Sequence, residues 1–242
     1  MVSPAALVLE NVVGTLLRSV QRTVPGTWQT SAEITTERRT NTDLRRQWFW
    51  VANFALYRVE DGEAVLYFGG REANVIFDNI EEATSQLIKT GNYVPKKEGI
   101  DAVVASVKSG STLRVKLSEL KLNRVNDEFS YFEIDTSRYD ELNAAQRLFA
   151  ERVYGPGNDF VENMGMLAKA PIGKTRIYVL NPDYVESKVV GDGAVARACW
   201  LNLFNNFSNV YASDRNVGYT NVALRAVRLK VVAAEGGAPK PL

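Results

Sequence analysis

The feature that most constrains the fold is an aromatic run interrupted by one two-residue turn signal. Trp48-Phe49-Trp50-Val51-Ala52-Asn53-Phe54-Ala55-Leu56-Tyr57-Arg58-Val59 leads into Glu60-Asp61-Gly62-Glu63, and Ala64 to Phe68 returns. Aromatic and β-branched side chains fit a pleated, half-buried surface, and Asp-Gly between two such runs supplies the positive φ angles of a tight hairpin. The segment predicts an antiparallel hairpin. Gly69-Gly70 then predicts a second turn, and Ala73 to Phe77 a third strand. Trp48 and Trp50 fall on one face by the period of two, as sheet-packing aromatics before a sugar platform.

The chain beyond the hairpin alternates between helical and strand patterns. Asn79 to Thr90 predicts a short helix, with Asp78 or Asn79 as cap, Glu81 and Glu82 in its first turn, Lys89 in its last and Gly91 just past the end. Ile100 to Val107 fits either a helix or a buried strand. Leu113, Val115 and Leu117 alternate with Arg114 and Lys116 as a half-exposed strand, and Phe129 to Ile134 gives another. Leu142, Ala145, Leu148, Phe149, Arg152 and Val153 recur at helical spacing, predicting a helix over Asp140 to Tyr154 that Gly155-Pro156-Gly157 stops. Asn158 to Ala170 reads as a partly helical loop in which Met164 and Met166 fill core gaps or form an adaptable lip. Arg176 to Leu180 reads as a strand, Asn181-Pro182-Asp183 as a turn, and Gly191-Asp192-Gly193 as a loop. An open meander feeding helices is the pattern of an α+β domain.

At the N-terminus, Ser3-Pro4 resembles a cap with proline at the first helical position, predicting an amphipathic helix over about residues 4–21. Its apolar face packs on its own domain or forms a candidate partner or homo-oligomer face. No basic region precedes the apolar positions, and Glu10 and Arg18 interrupt them, so neither an export signal nor a membrane span is expected. Thr23 to Thr30 reads as a linker turning at Pro25-Gly26. Arg38-Arg39 and Arg45-Arg46 are interspersed with Glu33, Glu37 and Asp43, which favours a solvated, salt-bridged segment over a phosphate patch.

Composition narrows the chemistry. With 242 residues, 45% hydrophobic and 24% charged, the chain is long enough for a full core, and it reads as one domain over 1–242. A formal net charge of +1 gives no global field for nucleic acid or an anionic membrane. There is no histidine and one cysteine, Cys199, so an intramolecular disulfide and the usual zinc and His-base sites are excluded. No cofactor or metal is expected. Gly173-Lys174-Thr175 ends like a phosphate-binding loop, but Ala168 stands where the first glycine is required.

Near the C-terminus the sequence departs from ordinary core or loop chemistry. Arg197-Ala198-Cys199-Trp200 leads into an asparagine-rich run, Leu201-Asn202-Leu203-Phe204-Asn205-Asn206-Phe207-Ser208-Asn209-Val210-Tyr211, and on through Ala212-Ser213-Asp214-Arg215-Asn216-Val217-Gly218-Tyr219-Thr220-Asn221. Asparagine is disfavoured in strands, and large apolar side chains are disfavoured in loops. Val222 to Val232, punctuated by Arg225, Arg228 and Lys230, then reads as a closing strand.

This pattern resembles the variable region of diversity-generating retroelement variable proteins, of the archaeal variable-protein type. In that family adenine-directed mutagenesis acts on template asparagine codons. The resemblance covers roughly the last fifth of the chain. It implies an α+β, C-type lectin-like fold with antiparallel sheets and two or three helices, and a variable ligand-binding region over about residues 197–230. It further implies ligand contacts from Asn202, Leu203, Phe204, Asn205, Asn206, Phe207, Asn209, Tyr211, Asp214, Asn216, Tyr219 and Asn221, with Trp200, Arg215 and Arg225 as scaffold. The ligand would be a protein or glycan, met at a virion or cell surface on which a partner mounts the protein.

Two other functions fit the sequence less well than display. An enzyme on a related fold would need a reactive cysteine, and Cys199 has no histidine to activate it; Glu133, Asp135 and Asp140 have the spacing of ordinary strand-end acids. A structural subunit of a viral or cell-surface assembly would use the N-terminal helix or the aromatic hairpin as its interface. Neither catalysis nor membrane insertion is expected.

Overall fold

In the computed structural model, which describes residues 29–46, 48–70, 82, 86, 92–169, 173–191, 193–203, 208–211 and 222–224, the aromatic hairpin forms as β1 (Trp48–Glu60) and β2 (Glu63–Gly69). Asp61 and Gly62 both take positive φ, 51° and 80°, the type I′ geometry whose twist matches that of the flanking strands. At the far end Phe54 pairs with Gly69, where a Cβ would lie 2.0 Å from the Phe54 ring. Between Val51 and Phe54 the pairing of β1 shifts register. There the buried Asn53 accepts from the Ser31 amide through Oδ1 and donates through Nδ2 to the Gly69 carbonyl. A residue unfavourable in a regular strand thus satisfies backbone groups beside a bulge.

Seven more strands join the hairpin: β3 (Thr112–Lys116), β4 (Asn123–Arg124), β5 (Phe129–Asp135), β6 (Lys174–Leu180), β7 (Val195–Leu203), β8 (Ser208–Tyr211) and β9 (Val222–Leu224). Among the described residues the sheet runs β3-β2-β1-β7-β8-β6-β5-β4, with β9 beside the first residues of β1. The β6–β8 and β1–β9 pairs are parallel and the rest antiparallel. β8, within the asparagine-rich run, therefore lies inside the sheet with a strand on each side.

One sheet face packs against four helices: α1 (Ser31–Glu37), α3 (Ala144–Tyr154), α4 (Asn158–Leu167) and α5 (Pro182–Lys188). Phe149 lies at the centre, 5.0 Å from Phe68 edge-on and 6.0 Å from Phe132 between ring centroids. Each fully buried side chain of this size contributes roughly 1.5–3 kcal/mol. The remaining helix, α2 (Lys97–Ser106), buries Ile100 and Val103 beside β2 and β3, outside that core. The architecture is α+β, with five α-helices among the described residues where two or three were expected.

Helix starts follow capping chemistry. Thr30 and Glu33 form a capping box on α1, and Asn143 and Gln146 form one on α3. α3 therefore begins at Ala144, not Asp140; Tyr139–Glu141 is a separate 3₁₀ turn. Its buried face is Phe149, Ala150, Val153 and Tyr154, which leaves Leu148 53% exposed. The expected turn at Asn181-Pro182-Asp183 instead starts α5, with the Asn181 side chain accepting from the Asp183 amide and Pro182 in the first turn. The partly helical loop after Gly157 is the regular helix α4, with Met164 in the core. Ile100 to Ser106 resolves as helix with Val107 as its cap, and Leu117 opens a 3₁₀ turn after β3 that buries Leu117 and Leu120.

The arginine-rich segment after Thr30 is solvated and salt-bridged only in part, with Thr40, Thr42 and Asp43 exposed. Arg38 is fully buried, its Nε donates to the Leu44 carbonyl, and its guanidinium lies 5.3 Å from the centre of the Phe49 ring. Burial pushes Arg38 down to about 9, which leaves it charged at neutral pH. Arg39 pairs with Asp159 at 2.8 Å and with Glu162. The predicted helix over 4–21 and the third strand at 73–77 lie outside the described residues. So does the helix over 79–90, apart from Glu82 and Gln86, both of which are helical.

Candidate functional site

The geometry of β7 and β8 decides which of their residues are available. Leu201 pairs with Val210, Val210 pairs with Ile177 on β6, and all three are fully buried in the core. Strand residues alternate between faces, so Trp200, Asn202, Asn209 and Tyr211 occupy positions on the opposite face.

Register carries that face across four strands in two rows. In one, Trp200 pairs with Tyr211, Tyr211 with Tyr178, and Tyr178 with Tyr131. In the next, Asn202 pairs with Asn209, Asn209 with Arg176, and Arg176 with Glu133. Leu203 pairs with Ser208 and shares the core-face register of Leu201. Trp200 also pairs with Trp50 on β1. Phe204, Asn205, Asn206, Phe207, Asp214, Arg215, Asn216, Tyr219, Asn221 and Arg225 lie outside the described residues.

The side chains from β5 and β6 form an ordered patch. Tyr131 and Tyr178 are half-buried, with ring centroids 5.4 Å apart and planes tilted by 38°. The Arg176 guanidinium lies 4.6 Å from the centre of the Tyr131 ring. Glu133 is paired with Lys174 at 2.6 Å and with Arg176 at 3.0 Å. The hydrogen bond from Lys174, supported by Arg176 and opposed by partial burial, holds the Glu133 carboxyl below the usual carboxylate range. Reciprocally, Glu133 raises Lys174. Aromatic faces beside fixed donors and an acceptor suit non-covalent recognition.

Tyr131, Arg176 and Tyr178 have no place among the residues that the sequence singles out, and Glu133 stands there only as a strand-end acid. The alternating buried pattern of β5 and β6 marks their outward positions, but the parallel β6–β8 pairing that sets them beside Asn209 and Tyr211 has no local sequence signal.

Arg197 ties the start of β7 to the far side of the sheet. It is fully buried, donating from Nε to Asn92 Oδ1 at 2.8 Å and from NH2 to Glu128 Oε1 at 2.7 Å. Glu128 immediately precedes β5, and its carbonyl accepts from the Asn181 amide just after β6. On β1, the Tyr57 hydroxyl accepts from the Leu180 amide at 3.3 Å. These contacts join the two halves of the sheet beyond the short strand β8.

Cys199 is fully buried, and burial pushes its thiol up. Asp135 accepts from the Ser137 hydroxyl and amide, which lower it, and Asp140 lies in the 3₁₀ turn before α3. Among the described residues, no three His, Cys, Asp or Glu side chains cluster to hold a metal, and no helix is long and apolar enough to cross a membrane.

No protein-family profile and no curated protein sequence matches the chain. A solved structure does match, with a TM-score of 0.54 and 13% identity over 89% of this chain and 90% of its own; it is described as "Accommodation of massive sequence variation in Nanoarchaeota by the C-type lectin fold". At that identity the likeness concerns backbone architecture alone, and on it this chain has a C-type lectin fold.

Proposed function

We propose that this chain is a ligand-binding display protein whose C-terminal region, about residues 197–230, is diversified by a retroelement. Outward side chains of β7 and β8 recognise a protein or glycan ligand, and the remainder of the sheet holds them. The observation that carries this reading is the alternation in β7 and β8. Leu201 and Val210 are buried, whereas Asn202, Asn209 and Tyr211 take the alternate positions in strands fixed by backbone pairing. Replacing a residue at an outward position alters the surface without altering those backbone bonds. Accommodation of massive sequence variation by the same fold in the Nanoarchaeota protein supports the reading. No catalytic step, cofactor, metal or nucleic acid enters it.

The test is the gene's neighbourhood. A near-copy of the segment encoding residues 197–230, beside a reverse transcriptase and differing only where the copy has adenine, is expected. Within that segment the differences should fall at outward positions such as Asn202, Asn209 and Tyr211 and spare Arg197, Cys199, Leu201 and Val210. Differences spread over all four bases, or no copy at all, would remove the retroelement from the account.

A further inference from the structure

We infer that the ligand surface continues past the diversified strands onto β6 and β5, where Tyr131, Tyr178 and Arg176 form a constant half that takes a folded protein partner; this rests on the display reading above. The argument begins with size. Paired strands lie about 4.8 Å apart, so β6 is about 5 Å and β5 about 10 Å from β8. A stable protein interface covers about 800 Å² on each partner, a footprint roughly 30 Å across. Centred on Asn209, a footprint that wide overlies both β6 and β5. β8 has four residues, about 13 Å of strand, so β7 and β8 supply only part of that area, and β6 is the strand that register sets directly beside β8. A short glycan, by contrast, is small enough to rest on β7 and β8 alone.

The chemistry of the constant half agrees with a protein partner. Tyrosine rings give large contact area with few torsions to freeze, and the Arg176 guanidinium is already stacked on Tyr131 and held by Glu133. Lys174 and Arg176 are paired across strands with Asp135 and Glu133, so the patch carries balanced charge and does not select an anionic polymer. Every variant would therefore start from the same aromatic contacts, with Asn202, Asn209 and Tyr211 deciding which partner is held.

The full chain, displayed with codons for Asn202, Asn209 and Tyr211 randomised, is selected in parallel against hen lysozyme and against immobilised mannotriose. Tyr178→Ser and Arg176→Gln are then introduced separately into the lysozyme binders, with a thermal melt confirming the fold of each. Tyr178→Ser is expected to weaken lysozyme binding at least tenfold and Arg176→Gln at least threefold. Lys97→Ala, whose side chain is 76% exposed on α2, should leave it unchanged. If Tyr178→Ser does not fold, Arg176→Gln alone decides the point. Affinity kept within twofold in the folded variants overturns the constant half and leaves display standing. Binders to mannotriose alone overturn the protein partner, and no binder to either probe sinks the display reading itself.

Discussion

Arg197 and Glu133 are both paired charges, and burial makes them behave differently. Arg197 has no solvent exposure, and its partner Glu128 is only 13% exposed, so removing the guanidinium strands a carboxylate away from water. Arg197→Ala is expected to cost about 3–5 kcal/mol in urea unfolding, and Arg197→Lys to recover only part of it, because an ammonium cannot reproduce the fork reaching Asn92 and Glu128 together. Glu133 is more open to solvent. Its carboxyl is held low in the folded chain by Lys174 and Arg176, so its stabilising contribution is fully present above the unfolded value of about 4.3 and is lost as pH falls through the folded value. An NMR titration should place its midpoint below the ordinary glutamate range and move it upward in Lys174→Met. Neither the burial of Arg197 nor that of Arg38 was legible in the sequence. A charged residue reads as solvated until its partners are known, and those of Arg197 come from Asn92 and Glu128, while Arg38 depends on Leu44 and Phe49.

Among the elements, the β1–β2 hairpin owes its register to two glycines with different duties. Gly62 supplies a positive φ at the turn, whereas Gly69 makes room for the Phe54 ring in the paired strand. Gly69→Ala is expected to destabilise by about 1–3 kcal/mol through overpacking. Phe54→Leu in the same chain should recover part of that loss, a coupling that a double-mutant cycle of thermal melts would detect; strictly additive effects would contradict the steric account. This hairpin was readable because its signal is confined to neighbouring residues. α3 was readable in kind but not in its start, since Tyr139 to Leu142 share the helical spacing while the capping box at Asn143 sets the boundary. Asn181-Pro182 serves equally as a turn and as a helix start, and only tertiary packing of Val185 decides between them. β8 had no such signal at all, because its partners are a parallel strand starting more than thirty residues earlier and the antiparallel strand that precedes it in the chain.

For the molecule as a whole, the α+β class followed from alternating patterns, whereas the C-type lectin fold was implied only by resemblance and then met in a solved structure. Sheet order stayed hidden, since it depends on which distant strands exchange backbone bonds. In β7 and β8 the fold separates core-face positions such as Leu201 and Val210 from the alternate strand positions. Changing Asn202, Asn209 and Tyr211 together to serine should cost within about 0.5 kcal/mol per site, the range usual for surface substitutions. Leu201→Ser or Val210→Ser, which place a hydroxyl in the core, should each cost at least about 2 kcal/mol in the same unfolding assay. Equal losses from the two groups would contradict the facing of β7 and β8. The position of β8 has one more consequence. An unpaired rim strand that turns apolar invites other chains to add to it and aggregate. Among the described residues the rims are β3, which carries Arg114 and Lys116, the two-residue strand Asn123–Arg124 and the three-residue β9, while both flanks of β8 are already occupied. On the display reading, side chains of β8 can therefore change without that strand itself becoming a border open to other copies of the chain.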